Sequence, residues 1–108
     1  MVKRTTRVSE QDLDQLTALF RLLSDKTRLN ILMLLAQGER NVTSLCQELD
    51  LPQPTVSHHL GLLRRSRIII NKRKGKQVIY ALDPAAGKVS GGKLKFGASP
   101  YTVVVEGF

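Results

Sequence analysis

The sequence predicts one α+β domain that is mainly helical, and three observations lead to this fold class. The chain has 108 residues, the size of a single ordinary domain. Residues 9–65 carry four segments whose apolar residues recur at helical spacing. After residue 67 the apolar period falls from 3.6 to 2, which is typical of β-strands. We therefore expect four helices, then a β-hairpin, then a strand-like C-terminal tail.

Caps and periodicity predict the first two helices. Ser9 can cap a helix, and Ser24 or Asp25 ends that helix and caps the next. Gly38 stops the second helix. The first helix carries the apolar residues Leu13, Leu16, Leu19, Phe20 and Leu23, and the second carries Leu29, Leu32, Met33, Leu35 and Ala36.

Two shorter helices and a hairpin follow. The third helix runs from about Thr43 to Leu49, and the turn 50–52 joins it to a fourth helix with Pro54 in its first turn. The fourth helix shows Val56, Leu60 and Leu63 on one face. Strands at 68–70 and 78–82 flank a basic tip at 71–77. A helix-turn-helix followed by such a hairpin is a winged helix-turn-helix, and the hairpin is its wing.

The predicted domain organisation has three parts. Residues 1–8 form a basic flexible arm, and residues 9–83 form the winged-helix domain. Residues 84–108 are a Gly-rich linker and an atypical β-like tail, which contains five of the eight glycines. Within the tail, alternation at 93–96 and β-propensity at 101–105 predict a second hairpin, with its turn at 97–100.

The positive charge of the chain is concentrated in one third of its length. Lys and Arg number 17 against 9 Asp and Glu, a net charge of +8. Residues 51–82 hold seven of these cations and no acidic residue. Such a segment favours a polyanionic partner, nucleic acid first, although a solvated basic face is the alternative.

Several functional classes have no support in the sequence. The single cysteine, Cys46, excludes an intramolecular disulfide, and no apolar run is long enough to cross a bilayer. The N-terminus lacks the apolar stretch of a signal peptide, so we expect a soluble cytoplasmic protein without a membrane partner. No nucleophile with its base, paired carboxylates or phosphate-binding loop indicates catalysis, so we expect no enzyme activity.

Three segments of the chain resemble the ArsR/SmtB-type winged-helix bacterial transcription regulators. They are residues 22–32 (LLSDKTRLNIL), 52–60 (PQPTVSHHL) and 74–80 (KGKQVIY), and the resemblance covers about residues 10–82. It implies a homodimer that binds double-stranded DNA at an operator and blocks transcription until a signal releases it. The sequence does not identify that signal, which could be a small molecule or a redox change.

The chain departs from this family at two places. Many members carry cysteine ligands at the start of the third helix, where residues 39–43 here contain none. Members usually end in a helix that pairs across the dimer, whereas this tail is Gly-rich and has no His or Cys. Metal sensing is therefore not carried over, and we expect neither a metal site nor a cofactor.

The fourth helix and the wing hold the candidate DNA-binding residues. A major groove accepts one α-helix, and polar side chains near the N-terminus of that helix meet base edges. Arginines at the end of the helix and cations of the wing would contact phosphates, with Arg73 also able to enter the minor groove. The candidates are Gln53, Thr55, Ser57, His58, His59, Arg64, Arg65, Arg73, Lys74 and Lys76.

Two of the singled-out residues have competing interpretations. His59 lies about 100° round the helix from His58, so it packs between helices with one ring nitrogen bonded, or it contacts DNA. Cys46 is either a small buried apolar residue or a redox-sensing thiol.

The first helix is the candidate dimer interface, through Leu13, Leu16, Leu19, Phe20 and Leu23. We expect the tail to pack against a sheet or across the two-fold axis and so help to hold the dimer. Two other functions stay open at this point: a winged-helix module that binds an acidic protein, and a nonspecific nucleic-acid binder.

Overall fold

The computed structural model describes residues 8–97 and 101–107. The predicted arm 1–8 therefore lies outside the described residues except for Val8, and so do residues 98–100 of the predicted tail turn. The helices are α1 (Glu10–Leu23), α2 (Lys26–Gln37), α3 (Val42–Leu49) and α4 (Gln53–Arg65). The strands are β1 (Arg40–Asn41), β2 (Ile69–Lys74), β3 (Gln77–Leu82), β4 (Gly87–Ser90), β5 (Lys93–Phe96) and β6 (Val103–Glu106). No described helix is both long and apolar enough to span a bilayer.

Side-chain caps define where the first three helices begin. The oxygens of Ser9, Asp25 and Asn41 accept hydrogen bonds from backbone N–H groups three residues later, at 3.0, 3.0 and 2.8 Å. The predicted caps Ser9 and Asp25 are thus confirmed. The bond from the Arg28 N–H holds the pKa of the Asp25 carboxyl below its usual value. Pro52 precedes α4, whose first turn contains Pro54.

One hydrophobic cluster joins all four helices to both sheets. Its buried members are Leu23, Ile31, Leu32, Leu35, Leu45, Val56, Leu60, Leu63, Ile68, Ile69, Leu94 and Phe96. Val56, Leu60 and Leu63 are the three residues that the sequence places on one face of α4, and each is at most 1% exposed. The buried face of α4 is therefore confirmed.

The first sheet contains the wing and has the strand order β1-β3-β2. Its hairpin is longer than predicted: pairing runs from Ile69↔Leu82 to Lys74↔Gln77, which leaves a two-residue turn at Gly75 and Lys76. Gly75 has a φ of +62°, a conformation that such tight turns require and that glycine adopts without strain. Residues 71–74 were not predicted to be part of a strand because they are polar. Exposed strands near the end of a hairpin need no apolar side chains, so these residues still pair with β3.

The tail folds as a second antiparallel sheet, with the order β4-β5-β6. The predicted pairing of 93–96 with the 101–105 segment is confirmed, since Phe96 pairs with Val103 and Leu94 with Val105. The prediction of a linker before it is wrong in part, because Gly87–Ser90 form the additional strand β4.

The tail also belongs to the same core as the winged-helix domain. Leu94 and Phe96 are fully buried in the common cluster. At Gly97, with a φ of +102°, a Cβ would lie 3.1 Å from Leu19 Cδ2 and 3.1 Å from the Tyr101 carbonyl oxygen. Glycine at this position therefore allows the tail to approach α1 closely.

We predict that the tail contributes to the stability of the whole domain. Phe96→Ala should lower the free energy of unfolding by about 3–5 kcal/mol, because it removes a large side chain from the core. Val104→Ala is the control, since Val104 is 43% exposed on the neighbouring strand and should change stability by less than about 0.5 kcal/mol. Urea unfolding measures both. Equal midpoints for the two variants would show that the tail does not stabilise the domain.

Candidate nucleic-acid interface

Burial of one face of α4 leaves its opposite face for other contacts. Gln53, Ser57 and His58 are exposed in the N-terminal half of the helix, whereas Thr55 is half-buried. The Pro52 carbonyl oxygen accepts hydrogen bonds from the N–H groups of Thr55 and Val56, which fixes the first turn. Three of the predicted base-contacting residues are therefore accessible in the N-terminal half of α4, and Gln53 and Ser57, four residues apart, share a helix face.

His59 lies at the edge of this surface and contacts α2. It is half-buried, with its Nδ1 3.4 Å from an Arg28 Nη1 atom. The Arg28 guanidinium also donates from Nε to the Leu22 carbonyl oxygen at 2.7 Å. Because arginine only donates hydrogen bonds, Nδ1 of His59 is the acceptor in this contact. This placement matches the interpretation in which His59 packs between helices, and a DNA contact stays a prediction.

The two histidine rings do not converge on a common point. Their centroids are 5.4 Å apart and their planes meet at 65°. Within residues 8–97 and 101–107, no three His, Cys, Asp or Glu side chains come close enough together to hold a metal ion. Cys46 is half-buried on α3.

Basic side chains extend from the end of α4 to the wing. Arg64 and Arg65 are exposed in the last turn of α4, where they also complement the helix dipole. Arg73 and Lys76 are exposed on the hairpin. In the described part of the chain, neither of these two wing cations forms an ion pair.

An acidic residue from outside the basic segment contacts the wing. The carboxylate of Glu39 accepts from Lys72 Nζ at 2.7 Å and from Lys74 Nζ at 2.9 Å. These two bonds, the one from Lys72 first, lower the pKa of Glu39 to about 2. Lys74 was predicted to contact DNA, and in the free protein its ammonium group is paired with Glu39. The sequence shows no acid among residues 51–82, and only the fold brings one to the wing.

The residues after Glu39 attach the wing to the helix-turn-helix. Arg40 pairs with Tyr80 and Asn41 with Ile79 in the sheet. The Asn41 side chain caps α3 and also donates to Gln77 Oε1 at 2.9 Å. An Asn before an amphipathic helix is itself a capping signal, so the cap of α3 by Asn41 could have been predicted from the sequence.

The first helix presents less apolar surface than predicted. Leu23 is buried at 7% exposure in the core of the protomer, so its assignment to an exposed dimer interface is wrong. Leu16 and Leu19 are half-buried and line a cavity of about 420 Å³ between α1 and the tail. Leu13 and Phe20 remain 44% and 53% exposed.

Comparison with known proteins places this geometry in a family. Residues 25–71 match the model of the bacterial regulatory protein, arsR family. The solved structure of the transcriptional repressor BigR from Xylella fastidiosa superimposes with a TM-score of 0.64 and 37% identity, over 68% of this chain and 72% of that one. The chain belongs to the arsR family of bacterial regulatory proteins.

Two further relatives extend the comparison for this arsR-family chain. The arsenical resistance operon repressor of Escherichia coli K12 is 48% identical over 67 residues, which are 61% of this chain and 57% of that protein. The homodimeric winged helix-turn-helix DNA-binding domain Mb0332 from Mycobacterium bovis has a TM-score of 0.63 and 30% identity, covering 77% of this chain and 76% of that one. The chain spans about half the length of the first curated relatives it matches, from 49% to 57%.

Proposed function

We propose that this arsR-family protein is a sequence-specific DNA-binding regulator of transcription, a repressor that occupies a palindromic operator as a homodimer. The observation that carries the proposal is the exposed polar face of α4. The relatives named as repressors support the regulatory part, and the homodimeric Mb0332 domain supports the assembly.

The chemistry of α4 suits the major groove. The groove is wide enough for one helix, and Gln53, Ser57 and His58 lie in the half of α4 that a recognition helix directs at base edges. Gln can bond adenine through two hydrogen bonds, and Ser and His can donate or accept. Buried Val56 and Leu60 hold this face in a fixed orientation, so its contacts can discriminate between sequences.

The cations supply affinity that does not depend on sequence. Arg64, Arg65, Arg73 and Lys76 are exposed and suited to phosphate oxygens on either side of the contacted groove. Because phosphates are the same in every sequence, these residues position the protein, and α4 selects the site.

We further propose that the protein needs no metal, has no enzymatic activity and acts in the cytoplasm. Binding to DNA requires no metal, because the histidine rings diverge and Cys46 lies on a different helix. The protein catalyses no reaction. It acts in the cytoplasm, where the bacterial chromosome lies.

The test of this function compares base readout with positioning. An operator is first selected from a pool of random duplexes. Ser57→Ala and His58→Ala should each weaken binding to the selected duplex by about 1–3 kcal/mol, and binding to random DNA much less, because a base contact is lost only at the correct site. Ser90→Ala, a change at an exposed serine of β4, should leave both affinities unchanged.

Three results would count against the proposal. Equal losses on selected and random duplexes would indicate a nonspecific nucleic-acid binder. The absence of any affinity for DNA would favour a protein-interaction module. A change of operator affinity on adding one equivalent of zinc would contradict metal independence.

The exposed part of α1 supports the homodimer. Leu13 and Phe20 are seven residues apart, so they lie on one helix face two turns apart. Large apolar side chains that are exposed together belong to an interface more often than to a surface that faces solvent. A two-fold axis along this face would present two copies of α4 to two half-sites, which is why we infer a palindromic operator.

We expect Phe20→Asp to dissociate the dimer, since it places a charge in a desolvated interface. Sedimentation should then report the 12.0 kDa protomer, and operator affinity should fall because each protomer holds one half-site. Val104→Asp, which introduces the same charge at a 43% exposed position of the tail, is the matched control. If Phe20→Asp sediments like the wild type and Val104→Asp dissociates, the tail sheet and not α1 forms the interface.

A further inference from the structure

Glu39 pairs with two of the four cations of the wing. Its two carboxylate oxygens each contact one lysine, Oε2 with Lys72 at 2.7 Å and Oε1 with Lys74 at 2.9 Å. All three side chains are partly exposed, at 38%, 48% and 57% respectively. The ion pairs are therefore open to competition from any other anion that reaches the wing.

The strand register explains why the contact forms. Asn41 and Lys72 are both paired with Ile79, on opposite sides of β3, so their side chains share a face of the sheet. Residues two positions away along each strand share that face too. Lys74 therefore lies on it as well, whereas Arg73 lies on the other face. Glu39, directly before β1, reaches both lysines from the end of that strand.

Hydrogen bonds of the next two residues hold the backbone beside Glu39 in place. The Asn41 amide donates to Gln77 near the wing tip at 2.9 Å, and its oxygen caps α3 at 2.8 Å. Arg40, between Glu39 and Asn41, donates to the Glu48 carboxylate at 2.8 Å. The segment that carries Glu39 is thus attached to the helix-turn-helix and to the wing, and the Glu39 carboxylate contacts the two lysines from there.

Affinity for random DNA is almost wholly a matter of phosphate contacts and released counterions. A phosphate approaching Lys72 or Lys74 must displace the Glu39 carboxylate and then lies beside that negative charge. The same phosphate contacts form at the operator and on random DNA, so Glu39 lowers both affinities by the same factor. The residue consequently limits the affinity for DNA as a whole and leaves the choice of sequence to α4.

We propose that Glu39 limits the affinity of the protein for DNA, because it holds Lys72 and Lys74 in ion pairs with which a phosphate must compete. This inference rests on the proposed DNA-binding function. The carboxylate stays ionised at every pH at which the protein would work, because its pKa is about 2. The limit on affinity is therefore permanent and is not a pH switch.

The experiment measures the salt dependence of binding to a random duplex and to the selected operator. Glu39→Gln should steepen the plot of log K against log salt by about 1–2 units on random DNA, one unit for each lysine released. At 0.15 M salt that corresponds to about 5-fold tighter random binding for one lysine and about 30-fold for both. Affinity for the operator should rise by the same factor, so the ratio of operator binding to random binding should stay unchanged.

Two controls separate this effect from a change of net charge. Glu106→Gln removes the same charge from the tail, where Glu106 lies 3.7 Å from Lys93, and should leave the slope unchanged. The triple variant Glu39→Gln/Lys72→Met/Lys74→Met should lose the gain, because the released cations are gone. Thermal melting checks that all variants are folded, as expected for changes at exposed side chains.

The outcomes are distinguishable. A steeper slope in Glu39→Gln alone, abolished in the triple variant, supports the inference. The inference is overturned if Glu39→Gln behaves like Glu106→Gln, or if the triple variant keeps the gain. In either case, binding of the operator by the wild-type protein would leave the proposed function intact. If the wild-type protein binds no DNA, the proposed function and this inference fail together.

Discussion

The structure depends on the burial of one face of α4. Val56, Leu60 and Leu63 occupy the centre of a cluster that also contains residues of α2, α3 and the wing. Ile68 and Ile69, directly after α4, continue the same core, so the helix and the wing that follows it are anchored together. Rotation of α4 would expose aliphatic surface, which costs a free energy of about 25 cal/mol for each Å² exposed. The polar face of α4 is therefore directed outward by packing and not by its own chemistry.

The wing needs a second attachment because its outer half is too polar to be held by the core. The two-residue strand β1 supplies it, with Asn41 bonding both α3 and Gln77. The same segment carries the acidic residue that pairs with two wing lysines. Three consecutive residues, Glu39 to Asn41, thus hold the wing in place and pair with two of its lysines.

The helices and the candidate recognition surface could be predicted from the sequence because their signals are local. A cap such as Ser9 and the spacing of Val56, Leu60 and Leu63 act within a few residues. The contact of Glu39 with the wing could not be predicted, because 33 positions separate it from Lys72 and only the sheet order brings them together. Burial of Leu94 and Phe96 was missed for the same reason: alternation predicts a strand but not what covers it.

We propose that α4 and the wing together form one DNA-contacting surface. Titration of ¹⁵N-labelled protein with the selected duplex, followed by amide chemical shifts, tests it directly. We expect the largest changes at residues 53–58 and 72–77, with small changes at the outer face of the tail sheet, Lys88, Lys95 and Val104. Changes concentrated on the tail sheet or on α1, with α4 and the wing unaffected, would contradict the account.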